Sequence, residues 1–79
     1  MNLIGPNIRE IRKSMNLSQK ELVARCNLIG WDISRGTLAK IESQTRKISD
    51  GEVLYFSKAL KVEVEALFNE ISPNSPNLQ

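Results

Sequence analysis

The chain has 79 residues and carries 11 Lys and Arg against 9 Asp and Glu, a formal net charge of +2. That length holds one domain with a small core and no second lobe to close a catalytic cleft. One cysteine, Cys26, excludes an internal disulfide framework, and the lack of histidine removes both a credible zinc site and the commonest general base.

Punctuation divides the rest into five short helices. Gly5-Pro6 opens the first, because proline suits a first helical turn. Ile8, Ile11 and Met15 follow at i, i+3 and i+7, which predicts an amphipathic helix over residues 6–15. Asn16-Leu17-Ser18 breaks it. Ser18 and Glu21 then have capping-box spacing, each side chain suited to a backbone N–H of the other residue. The second helix carries Leu22, Cys26 and Ile29 on one stripe and ends near Gly30. Gly30-Trp31-Asp32-Ile33 is a connector, with Trp31 expected as a turn anchor over the core.

Ser34 is the next N-cap, opening a third helix through about residue 43 with Leu38 and Ile41 inward. Gln44-Thr45-Arg46-Lys47-Ile48 is a polar, basic loop. Ser49 or Asp50 caps a fourth helix, with Val53, Phe56, Ser57 and Leu60 at helical spacing. Tyr55 and Leu54 fall off its inward face and read as surface residues or part of a dimer contact. A short fifth helix from about Glu63 turns Val64, Leu67 and Phe68 inward. Cys26, on the stripe, reads as a small core hydrophobe. The domain is expected to span residues 1–70, with 71–79 a disordered tail, because the tail holds two prolines and no charge.

The small net charge divides by position. Residues 9–47 hold nine basic and four acidic residues, a balance of +5, whereas residues 48–79 hold two and five, a balance of −3. Such asymmetry fits a half that faces a polyanion, and equally an uneven scatter over a solvated helical surface. No stretch reaches the roughly 20 apolar residues of a membrane span, and residues 1–6 lack the flanks of a signal peptide. Composition thus points to a small cytoplasmic domain that is no enzyme, with no cofactor, no metal, no membrane association and no evident small-molecule ligand.

The second and third helices with their connector have the layout of a helix-turn-helix. Here the sequence resembles the lambda-repressor-like, XRE/Cro-type domains. Leu17-Ser18-Gln19-Lys20-Glu21-Leu22-Val23-Ala24 looks like the opening of their second helix. Ser34-Arg35-Gly36-Thr37-Leu38-Ala39-Lys40-Ile41-Glu42 is similar to their recognition helix, which ends in Ile-Glu. Lys58-Ala59-Leu60-Lys61-Val62 matches the end of their fourth helix. The resemblance covers about residues 4–68 and implies an all-α, compact five-helix DNA-binding domain. Two departures stand out. The connector is longer than the family pattern by five residues between Gln19 and Leu38. Gly36 stands where the family places a side chain that can touch bases, so its use would be close approach to DNA backbone or to another helix.

The resemblance implies double-stranded DNA as partner and a repressor-like regulator of bacterial or phage origin, cytoplasmic and nucleoid-associated when bound. It also implies a homodimer through the end formed by the fourth and fifth helices, on an inverted repeat whose half-sites lie about 34 Å apart. A recognition helix of about ten residues is ~15 Å long and enters the major groove. Arg35, Thr37 and Lys40 are the candidate base contacts: Arg35 for guanine O6 and N7, Thr37 through hydroxyl or methyl, Lys40 for guanine or phosphate. Gln19, at a helix N-terminus, and Ser34, Gln44, Arg46 and Lys47 are candidate phosphate contacts, with Ser43 and Thr45 as further hydroxyls. Arg12 is implied to pair with Glu42 as a buried structural ion pair. The alternative is the same fold used to bind another protein, as an antitoxin would.

Overall fold

The computed structural model describes residues 4–68. Four α-helices follow in order: α1 Gly5–Ser14, α2 Gln19–Leu28, α3 Arg35–Glu42 and α4 Asp50–Leu60. A short 3₁₀ turn, Val64–Leu67, stands where a fifth helix was expected, and no strand occurs among the described residues. The expected tail, residues 71–79, lies outside the described residues.

Three helices begin on a serine. Ser18, Ser34 and Ser49 each hold extended backbone and accept the N–H of the residue three positions on. At Ser18 and Ser49 the box is reciprocal: Glu21 and Glu52 accept the serine's own N–H at 2.8 and 3.0 Å. Two orphan donors are satisfied at each start. Every α-helix ends in one motif. Asn16, Gly30, Gln44 and Lys61 have φ of 59°, 94°, 67° and 59°. The next N–H then reaches back five residues: Leu17 to Arg12, Trp31 to Cys26, Thr45 to Lys40 and Val62 to Ser57. This is the Schellman geometry, and only one of the four left-handed residues is glycine.

The core gathers one stripe from each helix. Ile4, Ile8, Leu22, Cys26, Leu38, Ile41, Phe56, Leu60 and Leu67 are fully buried, with Ile33, Val53 and Ala59 close behind. Burial pushes the Cys26 thiol up to about 11, which keeps it protonated as a small core hydrophobe. Three expected core positions lie outside. Met15 and Ile29 fall just beyond the ends of α1 and α2, so the helical stripe does not carry them inward; both are exposed. Phe68 follows the last residue of the 3₁₀ turn and is 58% exposed, because three residues per turn bring only Leu67 fully inward. Asn7 Nδ2 fastens that turn to α1 by donating to the Leu67 carbonyl at 2.9 Å.

The long connector is a built loop. Gly30 supplies the left-handed turn, and Ile33 is buried. Asn27 Nδ2 donates to the carbonyls of Trp31 and Ile33 at 2.8 and 3.4 Å. Trp31 stacks on Tyr55 with ring centres 5.1 Å apart and meets Phe56 edge-on at 4.9 Å. Such pairs are worth about 0.5–1.5 kcal/mol beyond their buried area. Tyr55 is therefore half-buried under the connector and not a free surface residue, whereas Leu54 beside it is exposed. The extra residues are absorbed between these anchors, and α2 and α3 still pack on one another.

Candidate nucleic-acid interface

α3 is eight residues long, about 12 Å, two residues shorter than expected. Leu38, Ile41 and Glu42 face inward and are buried. Helical spacing then puts Gly36, Lys40 and Ser43 on the opposite side. Arg35 is exposed at the first helical position, and Lys40 is exposed one turn on. Neither forms an ion pair among the described residues, nor does Lys47 in the following loop.

Beneath this face lies a polar network. Arg12 Nε donates to Glu42 Oε2 at 2.8 Å and Nη2 to Oε1 at 3.1 Å. Arg12 Nη1 donates to the Leu17 carbonyl at 2.6 Å, in the turn that leads to α2. Both residues are buried, Arg12 at 8% and Glu42 at 5% exposure. Gln19 adds a third donor: its Nε2 reaches Glu42 Oε1 at 3.1 Å. The first side chain of α2 is thereby fixed at that helix's N-terminus.

The hydroxyls are largely engaged within the protein. Ser34 Oγ accepts the Thr37 N–H at 3.1 Å and donates to Thr37 Oγ1 at 3.0 Å. Ser34's proton is thus used in the cap, while Thr37 keeps its own proton to offer. Ser43 and Thr45 share a hydroxyl contact of 3.1 Å and both reach the Lys40 carbonyl, closing the end of α3. Gln44 is exposed in the left-handed position of that turn.

Arg46 and Lys47 part company. Arg46 forms a two-bonded bridge to Glu52, with Nη1 on Oε1 at 3.0 Å and Nη2 on Oε2 at 2.8 Å. This hydrogen-bonded guanidinium is the main reason the Glu52 carboxyl sits below its usual range. The bridge ties the basic loop to the start of α4. Sequence reasoning missed it, although Ser49 and Glu52 repeat the spacing of Ser18 and Glu21. It also missed Arg9, which lines a shallow groove with Gln19, Ala39, Glu42 and Ser43. Arg9 is exposed, and its contact to Glu10 is a loose 3.8 Å.

No group of His, Cys, Asp and Glu among the described residues could hold a metal. No helix among them is long and apolar enough to cross a membrane. Two helices joined by a folded connector, the second with a cationic outer face, define a helix-turn-helix domain. The family model described as helix-turn-helix matches residues 8–67, and the chain belongs to this lambda-repressor-like, XRE-type family. The family is a DNA-binding one, which makes the chain a helix-turn-helix DNA-binding regulator in general terms. The searches of curated proteins and of solved structures returned no match.

Proposed function

We propose that the chain is a sequence-specific transcriptional regulator of the repressor type that reads the major groove with α3. The carrying observation is that Arg35 at the start of α3, Lys40 on its outer face and Lys47 in the following loop are exposed without acidic partners among the described residues. Arg35 and Thr37, in the first turn, and Lys40 are the base-reading side chains. Gln19, held by Glu42, presents an amide and free helix N–H groups to a phosphate. Arg9, across the groove from it, and Lys47 add phosphate charge neutralisation. Arg46 acts chiefly by holding the loop against Glu52. The protein-binding alternative gains nothing from α3, because the exposed large apolar side chains, Met15, Leu28, Ile29, Leu54 and Phe68, all lie on other elements.

A homodimer on an inverted repeat completes the reading. Leu54 and Phe68, 53% and 58% exposed, flank a shallow apolar groove with Val53, Val64 and Asp50, at the end of the molecule formed by α4 and the 3₁₀ turn. A second copy burying this patch would bring two α3 helices to successive major grooves, about 34 Å apart.

The test is binding to a panel of duplex sites at several salt concentrations. Affinity should fall steeply with salt, as neutralising several phosphates requires. Arg35→Ala should flatten base preference by about 1–3 kcal/mol at its position, whereas Lys47→Ala should weaken all sites alike. A salt-independent affinity, or identical behaviour of the two variants across the panel, would contradict the assignment.

A further inference from the structure

DNA recognition leaves unused a surface where α2 and α4 both end. Arg25, Lys58 and Lys61 converge there with Leu28, Ile29 and Ala59 around an open groove of about 230 Å³. Leu28 is 87% exposed and Ile29 39%, the first on the last residue of α2 and the second on the residue after it.

The charge around it is of one sign. Arg25 Nη1 is held on the Ala59 carbonyl at 3.2 Å, which fixes its guanidinium across α2 and α4. Lys58 and Lys61 are exposed and form no ion pair among the described residues. No carboxylate lines the groove. Glu21, one turn before Arg25 on α2, accepts the Ser18 N–H and attracts Arg25 from outside the groove, leaving Lys58 and Lys61 as the groove's uncompensated charges.

Three cations around two exposed aliphatic side chains complement an acidic chain that carries an apolar residue. A DNA backbone matches the charge but gains nothing from Leu28 and Ile29. The groove also lies at the opposite end of α2 from Gln19, about 15 Å along the ten-residue helix, so it stays open while α3 is engaged. We propose that this groove docks an acidic segment of another protein, with one apolar side chain against Leu28 and Ile29 and flanking carboxylates on Lys58, Lys61 and Arg25.

The experiment selects binders to the full chain from a random peptide library and measures the enriched peptides in solution against variants. The expected winners share acidic residues around a Leu, Ile, Met or Phe. Their affinity should fall about tenfold or more with Leu28→Ser and with Lys58→Glu, and stay nearly unchanged with Met15→Ser, an exposed apolar residue at the end of α1. Leu28 and Lys58 are exposed, so thermal melts should show both variants folded; Lys58→Gln replaces Lys58→Glu if the latter is not. No common sequence, a neutral or basic one, or acidic peptides indifferent to Leu28→Ser would overturn the proposal. A loss of duplex affinity with Leu28→Ser equal to that with Arg35→Ala would assign the groove to DNA instead. A loss of self-association with Leu28→Ser would assign it to a second copy of the chain.

Discussion

Glu42 is the residue on which most depends. Its two oxygens take three donors, two from Arg12 and one from Gln19, in a setting that water hardly reaches. Breaking a buried pair by removing one partner costs about 3–5 kcal/mol, because the other charge is left uncompensated. Glu42→Leu should destabilise by that order in urea unfolding. Arg12→Met with Glu42→Leu should recover most of the loss yet leave duplex binding weak, since Gln19 then has nothing to hold it. Full recovery of both stability and binding would show that Gln19 needs no anchor. Gly36 raises the opposite question. A Cβ there would find no neighbour nearer than Ser34 Oγ at 3.9 Å, so no helix approaches closely enough to require glycine. Gly36→Ala should therefore raise the melting temperature, by about 0.5–1 kcal/mol of stability. If the duplex backbone comes to this position, the same variant should bind DNA more weakly. A gain in both would place Gly36 away from DNA.

Among the elements, helix starts were more legible than helix stops. A start is written locally: Ser18 with Glu21, Ser34 before Arg35, and Ser49 with Glu52 are spacings within four residues. Only Gly30 announces a stop by its identity. Asn16, Gln44 and Lys61 take the left-handed conformation without being glycine, which strains Gln44 and Lys61 more than asparagine. Met15 and Ile29 each stand one residue before a left-handed position, Asn16 and Gly30, where the helix has already ended, and both are exposed. The same capping boxes predict a pH response. Hydrogen bonds from Ser18 hold the Glu21 carboxyl below its usual value of 4.5, and the Arg46 bridge, then the Ser49 cap, do so for Glu52. A carboxyl depressed in the folded state contributes stability above its unfolded value. That contribution is lost as pH falls through the folded one. Melting temperature should thus be flat near neutrality and drop below about pH 4.5. Glu52→Gln should lower it at neutral pH and shrink the acid drop. An unchanged acid limb would mean that Glu52 does not contribute through its charge.

For the whole molecule, the all-α class and the helix-turn-helix were readable because four helical apolar stripes and three capped starts agree with one another. Partners across the tertiary structure were not readable. Nothing local says that Arg46 will meet Glu52 or that Tyr55 will lie under Trp31, since both depend on how the loops fold back. The division of charge gains its meaning at this scale. Arg12 and Glu42 cancel inside, Arg46 is paired with Glu52, and the exposed Arg35, Lys40 and Lys47 of α3 and its loop stand apart from Lys58 and Lys61 beside the α2–α4 groove. Selection of bound sequences from a random duplex pool tests the central claim most directly. The account predicts enrichment of an inverted repeat with half-sites about one helical turn apart, and its loss with Arg35→Ala. Recovery of no common sequence, or of a single site without symmetry, would contradict a dimer that reads DNA through α3.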